Sequence, residues 1–284
     1  MQQSWDELRY NYSLLFPDRK VSSLAFGSVF RETDIERNND YVLAGVKRQE
    51  NRAAGLLVTR PEWDPTVISR AVRDGFSGIK PYPDLAPVES SEVSIFDFAP
   101  KEHLAALDET SGILMLHLPR AGRLADKDNI RELTEISQTY PSIKLIVAHI
   151  GRSFCLPTAS KGLPSFVQAA NIFFDTSANL NADVFQYALE TVGPDRILFG
   201  SDLPITLMRG MREHLGDKYV NYTDAPYSWN VNRKSPSEEA RYTYFLYEEI
   251  RAIITAMDRS GLGKEIAGKI FYSNSARLLG GKTC

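Results

Sequence analysis

Cysteine is nearly absent: Cys155 and Cys284 are the only two in 284 residues. That is too few for a disulfide framework, and they form no C-x-x-C metal or redox pair. Long apolar runs are missing too, since nothing approaches the roughly 18 consecutive residues a membrane span needs. The start, Met1 to Arg9, is polar and mixed in charge, without the apolar stretch of a secretory signal. Charge of one sign is also lacking. The 33 basic and 36 acidic residues leave a formal net charge of −3, which argues against nucleic acid or an anionic membrane as the main partner. There are no repeats and no low-complexity linker. These absences leave a cytoplasmic globular protein whose partner is a small molecule.

What is present is alternation. Short apolar runs occur at Val21–Phe30, Ala54–Val58, Phe76–Lys80, Gly112–His117, Ile143–His149, Asn171–Asp175 and Arg196–Asp202. Each is rich in β-branched or aromatic residues and bounded by Gly, Pro, Asp or Ser, the pattern of strands buried on both faces. The stretches between carry helical spacing, as in Ile130, Leu133 and Ile136, or Val184, Tyr187, Ala188 and Val192. Six intervals separate positions 21 and 196, about 29 residues each, the length of one βα unit. A parallel sheet covered by helices follows. Single α/β barrels reach this length, so residues 1–284 read as one domain. Residues 203–240 break the rhythm and read as a long irregular loop or lid. Helices follow over 241–281, one through Tyr242, Phe245, Leu246, Ile250, Ile253 and Ile254, the last closing at Gly280-Gly281.

Parallel α/β proteins collect their chemistry at the C-terminal ends of strands. Here those ends are Lys80, His117, His149, Asp175-Thr176-Ser177 and Ser201-Asp202. The chain has four histidines, and two of them close successive strands. A single such His could do no more than satisfy a carbonyl, but two with Asp202 on a third strand end point to a shared site. Imidazole and carboxylate are the usual ligands of a catalytic divalent metal, which makes hydroxide available near neutral pH. Lys80 could bind a substrate carboxylate or serve as an ion-pair partner at the barrel mouth. Asp175 with Ser177 could line the pocket or cap the next helix. Arg120 and Arg152, each three residues past a site histidine, could grip an anionic substrate group. His103 and His214 read as solvated.

The segments GFSGIKPYP, MLHLPR, LIVAHIGR, FFDTSAN, DRILFGSDLP and IFYSNSARLLG together resemble the amidohydrolase-related family. This is the branch of the amidohydrolase superfamily that includes aminocarboxymuconate-semialdehyde decarboxylase-like enzymes and several lactone and amide hydrolases. The resemblance covers about residues 75–284, more loosely the part before. It implies a TIM-like (β/α)₈ metal-dependent hydrolase barrel in which the seven runs are strands two to eight. It makes His117 a metal ligand and Asp202 a ligand or base. His149 becomes a second ligand or the catalytic acid/base. It implies a divalent metal, zinc first, and a homodimer.

One departure matters. The family's first strand ends in His-x-His, and no His precedes His103 here. Strand one is therefore missing or replaced, and Tyr10–Phe16 is the segment best able to fill its slot. Otherwise edges on VSSLAFGSVF and RILFGSD would be bare, at roughly 1 to 3 kcal/mol per unsatisfied buried group. With half the usual ligands gone, metal binding is expected to be weak or absent. The leading reading is hydrolysis of a C–O or C–N acyl bond in a small carboxylated molecule. Non-oxidative decarboxylation and a non-catalytic ligand-binding paralogue are the rivals.

Overall fold

The computed structural model describes residues 3–49, 52–88 and 92–280; Met1, Gly281 and Cys284 fall outside them. Helix α1 (Trp5–Leu15) leads into strand β1 (Ser23–Phe26), α2 (Ile35–Arg48), β2 (Ala53–Thr59), α3 (Thr66–Asp74) and β3 (Gly78–Pro81). Then come α4 (Ile95–Phe98), α5 (Lys101–Glu109), β4 (Ile113–Leu116), α6 (Lys127–Thr139), β5 (Lys144–Val147), the short turn α7 (His149–Arg152) and α8 (Leu156–Gly162). The alternation closes with β6 (Ile172–Asp175), α9 (Ala182–Val192) and β7 (Ile197–Leu198). All seven strands are parallel and stand in sequential order, the arrangement of a barrel that has not closed. Every residue of β2, β3 and β6 is buried, as strands covered on both faces must be.

The seven expected strands are therefore present, and the seam between β1 and β7 lies where an eighth would stand. Tyr10–Phe16 does not fill it as a strand: it forms the last turns and the C-cap of α1, a helix started by a capping box between Ser4 and Glu7. The helix nonetheless ties the seam. Trp5 packs on α2 against Gly45, where a Cβ would stand 1.8 Å from the indole nitrogen. The buried Tyr12 hydroxyl meets Ser23 Oγ on β1 at 3.3 Å and hydrogen-bonds Ser201 beyond β7. Tyr247 donates its hydroxyl proton to the Leu15 carbonyl at 2.9 Å.

The β7 edge is not bare either. Phe199 N–H donates to the Ile270 carbonyl, and the Asn274 amide donates to the carbonyls of Ile197 and Pro194 at 2.8 Å each. Ile270 and Asn274 of the C-terminal segment thus occupy backbone groups at the β7 end of the seam.

Residues 203–240 are more ordered than their composition suggests. Strands β8 (Arg209–Leu215) and β9 (Lys218–Thr223) form an antiparallel hairpin around a two-residue Gly216–Asp217 turn, Gly216 taking φ +64. Helix α10 (Pro236–Glu239) follows, and β10 (Thr243–Tyr244) adds to the hairpin. The next helix, α11 (Phe245–Arg259), begins after Tyr242 rather than through it, and α12 (Lys264–Gly268) and α13 (Asn274–Leu278) end the described chain.

Candidate active site

The sequence after β5 makes a sharp structural demand. His149, Ile150, Gly151 and Arg152 all adopt left-handed backbone, with φ between 48 and 61. Such conformation is costly for residues with a Cβ, most of all a β-branched one, and persists only where the surroundings enforce it. The enforcement is visible. Ile150 is fully buried, His149 N–H donates to Asp175 Oδ1 at 3.0 Å, and Gly151 N–H donates to the Ala148 carbonyl at 2.9 Å. The turn throws the His149 ring into the mouth of the barrel. Asp202, beyond β7, is also left-handed, at φ 50.

His149 is held in one tautomer. Its Nδ1 lies 2.9 Å from the Ser177 carbonyl and 2.9 Å from Ser177 Oγ. A carbonyl can only accept, so Nδ1 donates to it, and Nε2 is the nitrogen that carries the lone pair when the ring is neutral. Asp175 fixes Ser177 in turn, accepting from its N–H at 3.0 Å and from its hydroxyl. Asp175 and Ser177 therefore build the site. Helix α9 is capped by Asn181, whose Oδ1 accepts from Asp183 N–H at 3.0 Å.

The His117 ring stands 5.3 Å from that of His149 and 5.2 Å from Tyr82. Burial first, then the neighbouring His149 ring and the cationic Lys80, Arg152 and Arg123, drive its pKa down to about 2, so it is a neutral imidazole. Lys80 is 2% exposed, and its Nζ lies 5.2 Å over Phe26 and 5.7 Å over Tyr82. It makes no ion pair with any described residue; burial lowers it to about 8 against the pull of Asp175 and Asp202. Burial, with Asp175 nearby, pushes the Asp202 carboxyl up, against the opposing influence of His149 and Lys80. Burial takes Tyr82 to about 12.

Beneath these groups lies an acid that composition did not point to. Glu249 of α11 is fully buried and accepts from Thr176 Oγ1 at 2.8 Å and from Ala178 N–H at 3.0 Å. Burial pushes its pKa well above the ordinary carboxylate range.

Above the two histidines, an aromatic pair is flanked by guanidinium groups. Phe154, 6.5 Å from the His149 ring, meets Tyr219 of β9 edge-on at 5.1 Å. Arg212 of β8 lies 4.4 Å from the Phe154 ring and Arg123 lies 5.4 Å from it. Arg152 sits near His117 and Tyr82 and donates to the Leu118 carbonyl at 3.2 Å.

Of the expected site residues, the structure gathers Lys80, His117, His149, Arg152 and Asp202. Arg120 goes elsewhere: it is buried and donates to Glu132 at 2.8 and 3.1 Å and to Asn129 at 3.1 Å. A buried Glu132 needs such a countercharge, and that need absorbs the guanidinium. His103 is not solvated; it is 1% exposed, with Nε2 2.7 Å from the Trp63 carbonyl. His214 lies on β8, its Nε2 buried without a partner. Arg123, Arg212, Phe154, Tyr219 and Glu249 were not singled out in the sequence. The signal for Arg212 and Tyr219 was confined to the Gly216-Asp217 turn, since the strands on either side alternate only weakly.

A divalent metal here would have to be held by His117, His149 and Asp202. Among the described residues, no three His, Cys, Asp or Glu side chains come together closely enough to hold one. Lys80, Arg123 and Arg152 also surround His117 with positive charge. The residues present do not fit a divalent cation.

An unclosed parallel α/β barrel with paired histidines, an acid and a lysine at its strand ends defines a class of hydrolytic and lytic barrel enzymes. The chain belongs to the amidohydrolase family, whose model matches residues 6–281. Among solved structures it is similar to an amidohydrolase from Burkholderia multivorans with bound HEPES: 12% identity, 98% of this chain and 89% of that one covered, TM-score 0.63. It is also similar to a candidate 2-pyrone-4,6-dicarboxylic acid hydrolase from Pseudomonas putida: 15% identity, 96% and 87% covered, TM-score 0.60. A third is 5-carboxyvanillate decarboxylase from Novosphingobium aromaticivorans, solved with manganese and 4-hydroxy-3-methoxy-5-nitrobenzoic acid: 17% identity, 87% and 69% covered, TM-score 0.54. No match is found among curated proteins.

Proposed function

We propose that residues 1–284 form one amidohydrolase barrel domain that hydrolyses a C–O or C–N acyl bond in a small carboxylated molecule. The observation that carries the reading is Asp202, Lys80 and the lone pair of His149 Nε2 gathered at one barrel mouth. Asp202, whose burial makes it a stronger base than an ordinary carboxylate, is the base. It takes a proton from the attacking water and returns it to the leaving oxygen or nitrogen. His149 Nε2 accepts the water's second hydrogen and orients it. The Lys80 ammonium neutralises the oxyanion as the carbonyl carbon becomes tetrahedral. Arg152 holds the substrate carboxylate. His117, neutral throughout, packs the ring of His149 in place.

Asp202→Asn removes the base and keeps the shape, and is expected to lower kcat by about 100-fold or more with little change in KM. An unchanged kcat would remove Asp202 from the mechanism. The raised carboxyl of Asp202 also suits a second reading, delivery of a proton to carbon with release of CO₂. Zinc or manganese is expected to bind weakly. One tightly held metal per purified chain, found by elemental analysis, would contradict the ligand geometry. The family expectation of a homodimer is retained as a proposal, to be checked by light scattering.

A further inference from the structure

Strand β3 buries a lysine without giving it a partner. Gly78 pairs in register with Leu56 and Ile113, which belong with Ile146, Phe173 and Leu198 to an apolar layer inside the barrel. Ile79 packs outward among the helices. Side chains alternate along a strand, so Lys80 shares the inward face of Gly78, where it is 2% exposed. Lysines elsewhere are answered. Lys101 Nζ meets Glu135 at 2.5 Å, Lys234 meets Glu213 at 2.8 Å and Lys269 meets Asp195 at 3.0 Å. Lys144 donates to the Leu278 carbonyl at 2.8 Å. Among the described residues, Lys80 Nζ has neither an ion-pair nor a hydrogen-bond partner; its neighbours are the rings of Phe26 and Tyr82.

Carboxylates act on this lysine without closing on it. Asp175 and Asp202 both pull on its charge, but Asp175 Oδ1 is taken by His149 N–H, Ser177 N–H and the Ser177 hydroxyl. A lysine buried for structure closes such a pair, because an unpaired buried ammonium is costly. A desolvated lysine walled by aromatic rings is instead the arrangement that makes an amine nucleophilic. Burial brings Lys80 to about 8, so near that pH the free amine and the ammonium are comparably populated. Lys80 and Arg152 both act on His117, and both adjoin Tyr82. An amine and a guanidinium therefore face one barrel mouth.

The geometry points to a second chemistry at this mouth: Lys80 is an imine-forming nucleophile, and its substrate is a small keto acid whose carboxylate lies at Arg152. Nζ forms the new carbon–nitrogen bond as the carbonyl π electrons move to oxygen. Both Nζ hydrogens pass to that oxygen, carried across by Asp202, and the oxygen leaves as water while the C=N bond forms. No other reactant is consumed. This goes beyond hydrolysis, since imine formation uses the free amine of Lys80 and hydrolysis its ammonium.

Pyruvate with sodium cyanoborohydride tests this, because hydride from the reagent turns an imine into a stable secondary amine. Lys80 is expected to gain the mass of one pyruvate less one oxygen atom, located by peptide mass spectrometry. At about pH 8 it holds roughly a hundredfold more free amine than an ordinary lysine. Lys101, which its hydrogen bond to Glu135 holds above the ordinary value, serves as the internal comparison. Labelling of Lys80 is expected to exceed that of Lys101 by at least about tenfold. Its rate should reach half its maximum near pH 8. Lys80→Arg keeps a cation, forms no imine, and should lose this adduct alone, with circular dichroism melts to show that it is folded. The map of the parent chain decides the matter even where that variant does not fold. Equal labelling of the two lysines, or labelling of Lys101 with Lys80 untouched, would overturn the assignment. If Lys80 is labelled and no ester, lactone or amide is hydrolysed, the imine site stands and the hydrolase reading falls. Hydrolysis by a chain whose Lys80 stays unlabelled gives the reverse.

Discussion

Left-handed backbone is disfavoured for a residue with a Cβ by roughly 1–2 kcal/mol, yet His149, Ile150 and Arg152 adopt it in one turn, with Asp202 doing the same across the mouth. Strain at this density is placed where it aims side chains. Gly151 makes the turn possible, because a Cβ there would stand 2.7 and 2.8 Å from Leu124 side-chain atoms. Gly151→Ala is expected to destabilise the fold by about 2 kcal/mol, read by urea unfolding. An unaffected midpoint would show that the turn is not under this constraint. At this scale the sequence was half legible. His117, His149 and Asp202 could be located because parallel strands deliver their last residues to one end of the sheet. The tautomer of His149 and the loss of Arg120 to Glu132 depend on residues distant in the chain. Nothing in local spacing marks Arg120 from Arg152.

Seven strands could be placed from apolar runs and βα spacing, because a strand buried on both faces has no choice of composition. The seam was the harder matter. The open seam was correctly inferred, with Tyr10–Phe16 as the segment to fill it, but its helical form was not, since it has neither strong strand nor strong helix periodicity. What fixes it is tertiary: Trp5 over Gly45, and Tyr12 reaching Ser23 and Ser201. The hairpin of 209–223 was hidden for a related reason. Its faces are half exposed on both sides, so alternation of apolar and polar residues is weak. Trp5→Ala is expected to cost about 3 kcal/mol, the loss of one buried indole. It should also raise hydrogen exchange at Ser23–Phe26 and at residues 199–202. Faster exchange confined to α1 would mean that the helix is an appendage rather than the closure of the barrel.

For the molecule as a whole, the buried acid beneath the site sets a pH dependence. Glu249 makes no ion pair among the described residues, although Arg212 feels its charge, and its folded pKa lies well above 4.5. Because the fold holds this proton more tightly than the unfolded chain does, the stability that Glu249 supplies is full below about 4.5 and is lost as pH rises through its raised folded value. Glu249→Gln keeps an acceptor for Ala178 N–H and a donor for Thr176, and it removes the titration. The variant is expected to melt with less dependence on pH between 5 and 8 than the parent, on the order of the loss of one buried carboxyl's linkage. Parallel melting curves for the two proteins would show that Glu249 ionises without penalty.

The central proposed step is the attack of water, activated by Asp202 and assisted by Lys80, on an acyl carbon of a carboxylated substrate. The direct measurement is product analysis on a panel of carboxylated aromatic lactones, esters and amides, with acid release followed by pH-stat and CO₂ by headspace detection. Acid release from at least one of them, without CO₂ and unchanged after dialysis against a chelator, is the predicted result. CO₂ as the product would assign the site to decarboxylation, and activity that disappears with the chelator and returns with metal would contradict the site as built here.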